Sequence, residues 1–81
     1  MTRAINVRYF ATLKDKAGLS SETVSTSAET ARDLYRELKA RFAFPLEEEH
    51  LKVSINREYR PFSSSLNAGD EVVFIPPVSG G

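Results

Sequence analysis

The feature that most constrains the fold is a single helical pattern placed between segments that alternate with a period of two. Near the start, Ile5, Val7 and Tyr9 alternate with polar Asn6 and Arg8, which predicts a strand with one buried face. Alternation returns at 51–55 and again at 71–75. Between them, apolar residues recur at helical spacing behind a Thr30 N-cap, so we predict an amphipathic helix over about 30–42, ended by Pro45: Ala31, Leu34, Tyr35, Leu38 and Phe42. Such a chain must bury one helix against a sheet.

Turn residues divide the remaining segments. We predict a polar turn at 14–18, followed by a weaker strand at 21–26 that forms a hairpin with the first strand. Asn56-Arg57-Glu58 predicts a tight hairpin into a short strand near Tyr59. A second turn is predicted at 67–70, before the last strand at 71–75.

This order predicts an α+β fold of the β-grasp, ubiquitin-like type, with one main helix packed across a mixed sheet and the first and last strands parallel at its centre. A ferredoxin-like split βαβ sheet is the alternative. That fold needs a second helix, and the segment 60–70 contains Pro61, three serines and Gly69 instead. We predict a domain over 1–75 and a projecting tail over 76–81.

Composition excludes several classes of function. Eleven basic residues balance eleven acidic ones, so we expect neither nucleic acid nor a membrane as partner. The chain has no cysteine, which excludes disulfides and thiolate sites, and it shows no signal-peptide pattern or long apolar run. We therefore expect a cytoplasmic protein that binds a protein or a small molecule.

The body of the chain offers little catalytic chemistry. His50 is the only histidine and follows three glutamates, a pattern more typical of a solvated loop than of a metal site or a general base. The serines at 63–65 have no base in a recognisable motif, and no glycine-rich phosphate loop is present. We predict no metal site.

The end of the sequence, Gly80-Gly81, is the strongest candidate for chemistry. Without side chains, two glycines pass through a slot that excludes other residues, and Pro76-Pro77 before them is stiff. A terminal carboxyl has a pKa of about 3.5, so it is ionised at neutral pH and must be activated before a nucleophile can attack it. Because the chain has no nucleotide motif, a separate enzyme would adenylate Gly81 with ATP.

The last strand also predicts a second apolar face. If Val72 and Phe74 point toward the helix, Val73 and Ile75 point away from it together with Phe10. This face is either a docking surface next to the tail or is half-covered by loops. Its predicted charged rim consists of three residues: Lys14, Arg57 and Arg60.

The segment 66–81, which contains Gly-Asp-Glu-Val and ends in Pro-Pro-Val-Ser-Gly-Gly, resembles the C-terminal segment of MoaD-type sulfur carriers. These carriers are the small subunits of molybdopterin synthase, within the MoaD/ThiS family. The segments 9–13 and 55–57 are similar to the family's first strand and central hairpin, so the resemblance covers the whole chain. Carriers of the thiamine pathway share the Gly-Gly end without the Pro-Pro-Val-Ser segment.

The resemblance implies a non-catalytic carrier that binds no cofactor. An E1-like enzyme would use ATP to adenylate Gly81, which then becomes a thiocarboxylate and gives sulfur to cyclic pyranopterin monophosphate. The tail, consisting of Val78, Ser79 and Gly80, would thread into the active site of a large catalytic subunit in a heterotetramer. The resemblance also places three residues at that interface: Phe10, Tyr59 and Ile75, the last where an aromatic residue is common.

Two other classes remain open from the sequence. A ubiquitin-like modifier, or a carrier for thiamine or tRNA thiolation, would use the same adenylate with another acceptor. A structural or interaction domain would not use Gly81 chemically.

Overall fold

The computed structural model describes residues 1–77, which form five strands and two helices. A 3-10 turn at Glu48–His50 precedes the third strand. The elements in chain order are β1 (Arg3–Tyr9), α1 (Ala11–Ala17), β2 (Ser21–Thr26), α2 (Ala31–Phe42), β3 (Lys52–Ile55), β4 (Glu58–Arg60) and β5 (Glu71–Ile75).

The five strands form one mixed sheet in the order β2-β1-β5-β3-β4. The central strand, β5, runs parallel to β1 and antiparallel to β3. Antiparallel pairs β1–β2 and β3–β4 complete the two sides. The prediction that the first and last strands pair in parallel is confirmed, and so is the β-grasp arrangement.

Helix α2 begins as predicted at a Thr30 N-cap, whose Oγ1 accepts a hydrogen bond from the Asp33 N–H at 3.2 Å. Two further N–H groups of its first turn donate to loop carbonyls, from Ala31 to Ser64 at 3.1 Å and from Arg32 to Phe62 at 2.9 Å. Since the first N–H groups of a helix have no partner within it, these bonds explain the role of the serine-containing loop. The serine-containing loop therefore has a structural role, because it supplies hydrogen-bond acceptors to the start of α2.

Helix α2 ends at the predicted residue, Phe42, whereas the segment before β2 differs from prediction. The helix ends at Phe42 because Ala43 adopts a left-handed conformation, with φ 57°, two residues before Pro45. The predicted turn at 14–18 is wrong, since α1 occupies Ala11–Ala17 and ends at Gly18, whose φ is 77°. Only Leu13 of α1 is buried.

The core lies between α2 and the sheet and is rich in aromatic rings. Tyr35 of α2 packs on Phe74 of β5 with ring centroids 5.1 Å apart, and on Phe44 at 6.0 Å. Tyr9 of β1 meets Phe44 edge-on at 5.9 Å. Burial of each such side chain contributes roughly 1.5–3 kcal/mol. One side of the sheet is therefore filled by α2, and the other side carries the candidate site.

Candidate functional site

The outer side of the sheet, opposite α2, is set by the alternation of β5. Val72 and Phe74 are fully buried beneath α2, whereas Val73 and Ile75 are partly exposed. Strand register then defines their neighbours: Val73 lies between Arg8 of β1 and Ser54 of β3, and Lys52 of β3 pairs with Ile75. Because paired residues share a face of the sheet, these side chains form one surface.

Two exposed aromatic residues lie on the same surface. Tyr59 pairs with Ser54 and is 74% exposed. Phe10 is 47% exposed and follows the buried Tyr9 with an extended backbone, which places it on the outer side. We name the set Phe10, Tyr59, Val73 and Ile75 the outer patch. The structure thus brings the three predicted interface residues, Phe10, Tyr59 and Ile75, to one face, and their contact with a partner remains a prediction.

The chain leaves the sheet directly from the outer patch. Ile75 is the last residue of β5, and the half-buried Pro76 and exposed Pro77 follow it. Neither proline has an N–H to continue the ladder. The predicted tail residues lie outside the described part of the chain: Val78, Ser79, Gly80 and Gly81.

A hydrogen-bonded cluster fixes the start of β5, and we name it the Asn56–Asp70 clasp. The Asp70 carboxylate, 8% exposed by residue, accepts from Asn56 Nδ2 at 2.9 Å and from the Asn67 N–H at 2.8 Å. Asn56 in turn accepts from the Glu71 N–H at 2.9 Å through Oδ1. The clasp connects the β3–β4 turn to the start of the central strand by hydrogen bonds. The sequence predicted both turns but not the hydrogen bonds between them.

Two buried tyrosines act as hydrogen-bond donors. The Tyr9 hydroxyl donates to Glu22 Oε2 at 2.6 Å, and burial together with Glu22 raises the pKa of Tyr9 far above its ordinary value. The Tyr35 hydroxyl donates to the Leu46 carbonyl at 2.5 Å, and burial, with a smaller contribution from Glu47, raises the pKa of Tyr35 to about 12. Both hydroxyls stay protonated at neutral pH, so they join elements rather than transfer protons.

The acidic segment beside His50 makes structural ion pairs. Glu47 lies 2.6 Å from Lys39 Nζ, and the hydrogen bond and charge of Lys39 lower the pKa of Glu47. Glu48 pairs with Arg32 at 2.8 Å, while His50 is exposed at the end of the 3-10 turn. Within residues 1–77, no group of three or more His, Cys, Asp or Glu side chains is placed to hold a metal ion.

Concave surfaces in the described region are open to solvent, and some have polar and others apolar linings. One depression of about 520 Å³ is lined mainly by polar residues: Ile55, Asn56, Glu58, Arg60, Ser64, Ser65, Asn67 and Asp70. Small-molecule sites are usually enclosed and apolar, so this depression does not resemble one. Across residues 1–77, neither helix combines the length and the apolar character needed to cross a bilayer.

Comparison with known proteins agrees with this arrangement. The family model described as ThiS family matches residues 7–81. The chain is 34% identical over 80 residues to the molybdopterin synthase sulfur carrier subunit of Haemophilus influenzae, aligning 95% of this chain and 99% of that protein.

Two solved structures are similar over nearly their whole length. One is a Pyrococcus furiosus protein assigned as molybdopterin converting factor subunit 1, 28% identical with a TM-score of 0.78, covering 94% of this chain and 99% of that chain. The other is small archaeal modifier protein 1 of Haloferax volcanii, 27% identical with a TM-score of 0.77, covering 96% and 99%. On the family match and the near-complete alignment, the chain belongs to the ThiS family.

Proposed function

We propose that this protein is the sulfur-carrier subunit of molybdopterin synthase. The observation that carries the proposal is the 34% identity to a curated carrier subunit, which is matched over 99% of its length. The fold supports it, since β5, the last strand before the Gly-Gly end, is the central strand of the sheet and has an apolar surface beside its end.

The proposed chemistry takes place at Gly81. A carboxylate oxygen of Gly81 attacks the α-phosphorus of ATP and pyrophosphate leaves, giving an acyl adenylate. Hydrosulfide then attacks the acyl carbon, AMP leaves and the proton of the hydrosulfide is lost, so the end becomes a thiocarboxylate. Its sulfur passes to cyclic pyranopterin monophosphate, and water restores the carboxylate.

The residues of the chain would present the tail rather than catalyse the reaction. Gly81 carries the sulfur, and Val78, Ser79 and Gly80 thread the slot, where side chains larger than hydrogen at the last two positions would obstruct attack. Phe10, Tyr59 and Ile75 contact the large catalytic subunit, which supplies the catalytic residues in a heterotetramer. The E1-like enzyme binds and consumes the ATP.

Reconstitution tests this function. The protein is incubated with its E1-like partner, ATP and sulfide, and its intact mass is measured. We expect a gain of about 16 Da, the difference between sulfur and oxygen, and none in a variant lacking Gly81. Arg36→Gln, on the exposed face of α2, is the control and should gain the same mass. An unchanged mass of the wild type with an active partner enzyme contradicts the proposal.

A second candidate function is protein modification. The likeness to small archaeal modifier protein 1 favours it, because an acyl adenylate at Gly81 also reacts with a lysine amine. Mass spectrometry of the protein from cells separates the two: a free thiocarboxylate indicates a carrier, and isopeptide-linked ladders indicate a modifier. A carrier for thiamine or tRNA thiolation would form the thiocarboxylate but give no molybdopterin with the large subunit.

A further inference from the structure

The outer patch is bordered by basic residues. Arg8 pairs with Val73 across β1 and β5, and Lys52 pairs with Ile75 across β3 and β5, so both cations are next to the apolar centre. Both side chains are exposed, and among residues 1–77 neither makes an ion pair. Arg57 lies at the β3–β4 turn, near the same surface.

The acidic residues of this neutral chain lie mostly elsewhere. Among the outward positions of the five strands, Glu71 is the acidic one, and its Oε1 is 4.0 Å from Arg57 Nε. Glu47 and Glu48 pair with cations of α2, on the other side of the sheet. Although the net charge is zero, the outer surface is therefore positive.

Arg57 has an unfavourable backbone conformation. Asn56 and Arg57 have φ of 53° and 70°, as in a two-residue type I′ turn, where glycine is favoured at the second position. An arginine in this region is strained, and within residues 1–77 its side chain, 89% exposed, makes one long ionic contact, with Glu71. Backbone strain of this kind clusters at binding and active sites, which makes Arg57 a candidate for contact with a partner.

We propose that Arg8, Lys52 and Arg57 form a cationic rim that selects a protein partner whose docking surface is apolar at its centre and carries carboxylates at its edge. This inference rests on the proposed function, in which the large subunit occupies the outer patch. Charge complementarity favours such a partner, and three cations around aromatic and aliphatic side chains match a protein surface better than a uniform array of phosphates.

The test measures association with the large subunit from the same genome by stopped flow. Arg8→Gln and Lys52→Gln should each lower the association rate constant about twofold to threefold at low salt, and the difference should vanish at roughly 0.5 M salt. Arg36→Gln removes the same charge from the far side of α2 and should associate like the wild type. Melting curves check that all variants are folded.

The outcomes separate this inference from the proposed function. If the wild type forms no complex, the proposed function fails and the inference with it. If the complex forms but the rim variants associate as fast as Arg36→Gln, the function stands and the rim is refuted. Salt-sensitive binding of the wild type to RNA or to phosphatidylserine vesicles, weakened by Arg8→Gln and Lys52→Gln, would also refute a protein-specific rim.

Arg57→Gly distinguishes a binding role of Arg57 from a structural one, because the two roles predict different combinations of melting midpoint and association rate. Relief of the left-handed strain should raise the melting midpoint by about 4 °C, while association slows about twofold. Slower association from a more stable protein supports the rim. Unchanged association, or a lower melting midpoint, would remove Arg57 from it.

Discussion

Replacement of Asp70 by alanine should destabilise the protein more than any other change to an acidic side chain of the described region. Asp70 is a buried residue, and its carboxylate accepts hydrogen bonds from Asn56 Nδ2 and from the Asn67 N–H. Hydrogen bonds to charged groups contribute about 1.5–3 kcal/mol each. In the variant, water that hydrogen-bonds to the freed donors offsets part of this loss. We therefore expect a loss of about 3 kcal/mol from the free energy of unfolding.

The loss is large for a domain of this size. Domains of this length are stable by only about 4–12 kcal/mol, and 1 kcal/mol corresponds to about 4–8 °C in the melting midpoint. Asp70→Ala should thus melt about 15 °C lower than the wild type. In urea the midpoint should fall by about 2–3 M with an unchanged slope. Asp15→Ala, an exposed carboxylate of α1, is the control and should change stability by less than about 0.5 kcal/mol.

A double-mutant cycle identifies the clasp as the cause. Asn56→Ala should cost about 2 kcal/mol, because it frees the Glu71 N–H and one Asp70 oxygen. The double variant should then lose about 1 kcal/mol less than the sum of the single losses. Amide exchange at Glu71 should accelerate in both single variants. Additive losses, or an Asp70→Ala variant within about 1 kcal/mol of the wild type, would refute this reasoning.

Two further predictions concern turn strain and alkaline stability. Gly18→Ala places a side chain at φ 77°, and no atom lies within 4 Å of the added Cβ. Backbone strain alone should therefore lower the free energy of unfolding by about 1 kcal/mol. Calorimetry that finds no loss of stability would contradict this prediction. Folding raises the pKa of Tyr35 from 10.0 to about 12, so the folded state favours the protonated hydroxyl. The contribution of this hydroxyl to the free energy of unfolding is therefore complete below pH 10 and is lost as the pH rises through 12. In urea titrations across that range, Tyr35→Phe should therefore lose stability less steeply than the wild type, by about 1.4 kcal/mol per pH unit, and equal slopes would contradict the assignment.

The sequence predicted the segments in which apolar residues recur with the period of a strand or a helix. The bounds predicted for β5 match the structure, because alternation in a half-buried strand specifies which residues face the core. The weaker strand β2 also has its predicted bounds, which rested on the β-branched and hydroxyl residues around Val24. Helix α2 was predictable for the same reason, since its apolar residues repeat and Thr30 caps it. The parallel pairing of β1 with β5 followed from the predicted order of the strands and the helix.

The features that escaped prediction depend on few residues or on distant ones. Helix α1 buries only Leu13, and one buried residue in seven cannot establish a period. The clasp joins Asn56 and Asp70 from separate turns, each of which is explained locally by turn propensity. Likewise, the rim residues Arg8 and Lys52 become neighbours of the patch only through strand register, while the predicted rim residue Arg60 pairs with Glu58 at 2.9 Å.

The same register couples the outer patch to the exit of the chain. Ile75 is both a patch residue and the last residue of β5, which is held between β1 and β3. A central strand cannot move without breaking ladder bonds on two sides, and Pro76, which has no N–H, cannot extend that ladder. A slip of one residue in β5 would turn Val73 and Ile75 inward and Phe74 outward, and would shift the exit at the same time. The sheet therefore specifies together the position of the outer patch and the residue, Ile75, from which the chain leaves β5.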